Sequence, residues 1–182
     1  MIDLTAKSLP NTVCVNGRDY SIYTDFRKWM KFEIAVARLR GNEKIDVTYL
    51  FKNDCPEYCD IQELFQFSRP ARILPRQMGS CNEIVLDYEI DADLIYSAFL
   101  GQYGIDLLDV KELHWHKFLA LIYGVNNSTK LLEVMQVRAY RKNTDKDYDA
   151  YEELKQVWRI EPQISEAEQM ELDKFNDLFT QR

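Results

Sequence analysis

The sequence predicts a mainly helical domain with a small N-terminal β-hairpin and one candidate further strand over residues 83–90. Three observations carry this expectation. Apolar residues recur at helical spacing through most of the chain. Glycine and proline are sparse, at 6 and 5 of 182 residues, so few positions break a helix. Near the start, an Asn-Gly pair stands between two short β-prone runs, and Asn-Gly favours a hairpin because both residues tolerate positive φ.

In chain order, Val13-Cys14-Val15 and Tyr20-Ser21-Ile22-Tyr23 flank Asn16-Gly17-Arg18-Asp19 as the hairpin. Two short strands are marginal alone in water, so the hairpin should lean on the helix that follows. That helix starts at Thr24 or Asp25, either a good N-cap, and carries Phe26, Trp29, Met30, Ile34 and Ala37 on one side. Gly41 is placed to end it. A short helix is expected over Lys44–Lys52, and another from Asp60, whose spacing to Glu63 imitates a capping box ahead of Leu64, Phe65 and Phe67. Pro70 stops that one. Residues 69–82 hold two prolines, a glycine and three arginines with no period, which predicts a mobile loop.

Beyond the loop, Glu83–Ile90 alternates apolar and acidic residues as a half-buried strand does. Asp91 then caps a helix bearing Leu94, Ile95, Ala98 and Phe99, ending near Gly101–Gly104. A further helix is expected from Asp106, with Leu108, Trp115, Phe118, Leu119 and Ile122 on its stripe and Gly124 as its stop. Ser128 caps the next, which runs through Leu131, Val134 and Met135 to about Arg141. Tyr148, Tyr151, Leu154 and Trp158 share a helical face before Pro162 interrupts. The chain therefore divides into a helical domain over 1–162 and a C-terminal amphipathic helix over 163–182. The latter opens on the capping box of Ser165 and Glu168 and carries Leu172, Phe175, Leu178 and Phe179. That apolar stripe near the chain end either packs back on its own domain or is the candidate partner-binding surface, for self-association or for another protein. Trp29, Phe99, Trp115 and Phe118 lie on the most regular stripes and should share one buried cluster.

Composition narrows the function. With 46% hydrophobic and 29% charged residues the chain is globular rather than disordered. A net charge of −7 argues against nucleic acid, whose binding draws on clustered Lys and Arg. The nearest cluster, Arg69, Arg72 and Arg76, is broken by prolines and reads as a solvated loop. No apolar run is long enough to span a membrane. Met1-Ile2-Asp3-Leu4-Thr5 lacks the features of a signal peptide, which predicts a cytoplasmic protein with Cys14, Cys55, Cys59 and Cys81 reduced.

No pattern of catalytic or metal-binding residues emerges. Cys55-Pro56-Glu57-Tyr58-Cys59 has the wrong spacing for a zinc knuckle and lacks a second pair. His114 and His116, if helical, project about 200° apart and cannot share a metal. Counted from Asp87, the acidic ladder Asp87, Glu89, Asp91 and Asp93 puts Ala92 and Ala98 where a calcium loop needs Gly and Glu. The scattered glycines form no phosphate-binding loop. The expectation is a non-enzymatic protein needing no cofactor and working by binding other proteins.

Two stretches add a resemblance. One is Val13 to Trp29 (VCVNGRDYSIYTDFRKW), followed by Phe32-Glu33. The other is Asp87 to Leu107 (DYEIDADLIYSAFLGQYGIDL), continuing into Leu113-His114-Trp115-His116-Lys117-Phe118. Both resemble the bacteriophage gene-product-fifteen (Gp-fifteen) family of Gram-positive phages and prophages, over roughly residues 10–140. His116 departs from it, standing where a second aromatic, usually Trp, is expected. The resemblance implies a role in tail morphogenesis, as an assembly chaperone for the tape-measure protein, in the cytoplasm of the bacterial host. A minor structural tail protein kept in the virion and an unrecognised enzyme are the alternatives, the latter disfavoured by the missing motifs.

Overall fold

The computed structural model describes residues 2–40, 43–69, 84–140 and 148–160; side chains of 148–150 lie outside that description. Strands β1 (Thr12–Val15) and β2 (Arg18–Ser21) form an antiparallel hairpin closed by the pair Val15–Arg18. The turn is only Asn16-Gly17, with φ of 51° and 77°. Positive φ at both central residues matches the twist of the flanking strands, so Arg18 and Asp19, expected in the loop, are strand residues. Val13 and Val15 point inward and are buried.

The described residues contain six α-helices: α1 (Phe26–Ala37), α2 (Ile61–Ser68), α3 (Ala92–Tyr103), α4 (Trp115–Tyr123), α5 (Lys130–Ala139) and α6 (Tyr148–Trp158). A mainly helical fold with a small hairpin is what the periodicity predicted. Asp25 caps α1 by accepting from Arg27 N–H at 3.0 Å, and both halves of the Asp60–Glu63 capping box are present. The hairpin does not rest chiefly on α1, as expected; β1 lies against α2. Glu63 reaches the turn there, accepting from Asn16 N–H at 2.7 Å. Gly41, Pro70 and residues 71–82 of the expected loop lie outside the described residues, as do 163–182.

Four local expectations are corrected, three of them for a common reason. In place of a helix over 44–52 there is one 3-10 turn, Thr48–Leu50. Asp46 accepts from the N–H and hydroxyl of Thr48 at 2.9 and 2.6 Å, and Phe51 forms a bridge with Ile22. Residues 84–90 are not a strand, because the Asp87 carboxylate accepts from Glu89 and Ile90 N–H and winds the backbone into a turn. The helix expected from Asp106 starts only at Trp115. Asp106 spends its carboxylate on Leu108 N–H at 2.9 Å, and the chain then runs alongside Thr24–Phe26, bridging Asp25 to His114. In each case an Asp bonded to the backbone two or three residues on competes with the expected element, helix or strand. The fourth correction is smaller: Thr129, not Ser128, caps α5.

The core is a single cluster that contains Trp29, Phe99, Trp115 and Phe118, as expected. Phe118, fully buried, is its hub. Its ring stacks near-parallel on Phe99 at 5.0 Å, Phe26 at 5.1 Å and Trp115 at 5.5 Å, joining α1, α3 and α4. Trp29 packs on Phe67 of α2 at 4.4 Å and donates its indole N–H to Tyr23 O at 2.7 Å.

An ion pair closes the other side. Asp91 and Arg138, with side chains 2% and 4% exposed, meet through two bonds of 2.6 and 2.9 Å. Arg138 also donates to Trp158 O at 2.7 Å and Val85 O at 3.2 Å, while Asp91 accepts from Asp87 N–H at 3.0 Å. Asp91 precedes α3 as expected but makes no side-chain cap, because its carboxylate is committed to Arg138. Removing one partner leaves the other charge buried and alone, so Asp91→Ala or Arg138→Met should each cost about 3–5 kcal/mol. In a double-mutant cycle read by urea denaturation, the pair changed together should cost well under the sum. Truncating the hub, Phe118→Ala, should cost about 3–5 kcal/mol in the same assay.

Candidate functional site

A second cluster of polar chemistry in the core lies where α2 ends and α4 begins. A helix leaves its last carbonyls without partners. Here Phe67 O accepts from His116 Nε2 at 2.8 Å and Ser68 O from Trp115 Nε1–H at 2.8 Å. His116 thus contributes a ring N–H donor to the end of α2. His114 is the N-cap of α4 rather than a helical residue. The two imidazoles are therefore neighbours, 5.2 Å apart, not splayed as the helical spacing implied. His114 Nδ1 accepts from His116 N–H at 3.0 Å. Its Nε2 therefore carries the proton and donates to Pro10 O at 2.9 Å. Burial lowers the His114 pKa, opposed by the Pro10 carbonyl. Both rings serve backbone bonding, which is a structural use.

The other sequence candidates resolve as surface or turn chemistry. Cys55 and Cys59 line no metal site; among the described residues no group of three His, Cys, Asp or Glu could hold one. Burial pushes the Cys59 thiol up to about 11, which suppresses its thiolate. The acidic ladder separates by residue: Asp87 holds its turn, Glu89 pairs with Arg38 and Asp91 with Arg138.

Two surface features stand out. The first is α6, which docks on α5 by Tyr140–Tyr151 stacking at 5.0 Å and by Lys155 Nζ donating to Tyr140 O at 2.7 Å. Beyond that contact Leu154 and Val157 are exposed at 43% and 75%, and Tyr151 keeps 45% of its surface outside the stack. Leu154 and Val157, three apart, form an apolar strip beside that stack, in a helix on which the spacing places Tyr148, Tyr151, Leu154 and Trp158 on one shared face. Leu172, Phe175, Leu178 and Phe179, the expected partner-binding residues, lie outside the described residues.

The second feature escaped the sequence reading. The segment after the 3-10 turn runs antiparallel to the end of the hairpin, with Tyr23 N–H on Leu50 O at 2.8 Å and Lys52 N–H on Ser21 O at 3.0 Å. This sets Tyr23 and Tyr49 beside the outer face of α1. Lys28 Nζ sits 4.3 Å from the Tyr23 ring centre and donates to Tyr49 O at 3.0 Å. Lys31 lies over Tyr49 at 4.6 Å and Lys52 over Tyr23 at 5.8 Å. Burial and then Asp46 push the Tyr49 hydroxyl up to about 12, so the ring stays neutral. Lysines at 28, 31 and 52 form no pattern in one dimension; only the chain pairing gathers them.

A family model described as bacteriophage Gp15 protein matches residues 5–160. That span adds α6 to the 10–140 stretch over which the resemblance was read. No curated protein and no solved structure matches the chain.

The histidine geometry yields a pH prediction. Because His114 is harder to protonate when folded than its ordinary 6.5, the unfolded chain binds the proton more readily. Stability should therefore be full above about pH 6.5 and fall as the solution is acidified below it. His114→Asn keeps a capping acceptor and removes the titrating ring, so its urea midpoint should fall less between neutral pH and pH about 5.5 than that of the wild type.

Proposed function

Since the chain belongs to the bacteriophage Gp15 protein family, we propose that it is a non-enzymatic tail assembly chaperone that binds the tape-measure protein in the host cytoplasm. The observation that carries this reading beyond the family is the exposed apolar pair of Leu154 and Val157 on α6, inside the matched span. Amphipathic partner helices lay apolar side chains against such a surface, read at three- and four-residue spacing. The arrangement suits a protein that shields an aggregation-prone helical client before assembly. No described helix is long and apolar enough to cross a membrane. The C-terminal residues Leu172, Phe175, Leu178 and Phe179 extend the apolar surface in sequence, for the same client or for self-association.

Co-expression with the neighbouring tape-measure protein tests the reading. The tagged wild type should co-purify with it and be missing from finished virions. Changing Leu154 and Val157 together to Ser should weaken capture at least about tenfold, the loss of roughly 1.4 kcal/mol of contact, with little change in the denaturation midpoint. Recovery of the protein from purified virions would favour a minor structural tail protein. Unchanged capture would move the binding surface to residues 163–182, whose deletion is the next measurement.

A further inference from the structure

We propose that the face built from Tyr23, Lys28, Lys31, Tyr49 and Lys52 is a second docking surface, one that receives an acidic peptide segment of a protein partner. The chain carries a net charge of −7, yet on this face three ammonium groups gather around two tyrosine rings. None of the three belongs to an ion pair among the described residues. The nearby carboxylate, Asp46, accepts from the Thr48 N–H and hydroxyl through one oxygen and feels Lys31 through space without forming an ion pair with it.

The rings do more than sit beneath the charges. A lysine in solution sweeps many rotamers, and fixing it for a partner costs entropy. Held over a ring by the cation–π attraction, the ammonium is already placed and still has N–H donors directed outward. Lys28 commits one donor to Tyr49 O and keeps two. Lys31 and Lys52 are exposed, and Tyr23 is 40% exposed. Carboxylates spaced along a peptide match ammoniums spread over two rings, while the tyrosine rings take the apolar stems between them. Nucleic acid fits less well: three ammoniums release few counterions, and the protein's overall negative charge repels a long polyanion.

The test uses the full chain and a fluorescein-labelled polyglutamate decapeptide at low ionic strength, with oligothymidylate of equal length as the competing class. The peptide should bind, weaken as salt rises and shift the NMR signals of the Tyr23 and Tyr49 rings. Lys31→Gln with Lys52→Gln breaks no hydrogen bond among the described residues, so the double variant should fold with an unchanged urea midpoint. Its affinity for the peptide should drop about fivefold, as the loss of two exposed charge pairs implies. Lys111→Gln with Lys117→Gln alters net charge equally elsewhere and should change affinity by less than about twofold, which separates a local site from bulk charge. The α6 serine variant should bind the peptide as the wild type does, so failure here and failure of the chaperone reading are distinguishable. The proposal is overturned if the peptide does not bind, if both lysine pairs weaken it equally, or if oligothymidylate binds more tightly than the peptide.

Discussion

The buried pair of Asp91 and Arg138 is the constraint on which the second half of the fold depends. Arg138 presents a rigid fork of donors, and its bonds reach three separate pieces of backbone or side chain: Asp91 before α3, Val85 in the preceding loop and Trp158 at the end of α6. A buried charge must be matched or it is costly. The pair therefore fixes how α3, α5 and α6 approach one another more sharply than apolar contact, which tolerates sliding. It also explains why Asp91 stands at a helix start without capping it.

A neutral counterpart joins the first half to this frame. The N-terminal residues of α4 hand ring N–H groups to the last carbonyls of α2, and Phe118, one turn on, stacks against rings from α1 and α3. One short helix thus completes the hydrogen bonding of a neighbour and supplies the centre of the aromatic core. Both histidines are engaged in backbone bonds, so the surfaces proposed for binding are the apolar strip of α6 and the lysine–tyrosine face of α1. These surfaces differ in chemistry and lie on different elements, so the two occupants proposed for them would not compete.

Much of the fold was legible because it rests on local rules. Asn16-Gly17 specifies a tight turn through its two positive φ values; Asp25 and the Asp60–Glu63 box specify helix starts through bonds spanning two or three residues. The buried quartet of Trp29, Phe99, Trp115 and Phe118 follows from helical spacing, since an apolar stripe has to face the core. The resemblance in the hairpin and the 87–118 region led to the family later shown over residues 5–160. Asp106 folds a lone turn where the spacing predicts a helix start, and the reason is physical. An aspartate that caps a helix and one that folds a lone turn make the same local bond, and what decides between them is whether the following residues have a distant strand to meet.

By itself, then, the sequence determined the helical class, the hairpin turn, several caps, the core residues and the family, all of which depend on neighbours a few positions apart. Tertiary structure alone decided what Asp91, His116 and the three lysines do. Asp91 and Arg138 are 47 residues apart, His116 and its acceptor 49, and Lys52 reaches Lys28 and Lys31 only because residues 50–52 pair with 21–23. Such partners share no period or motif. Which charges meet is settled by the packing of the apolar faces that carry them.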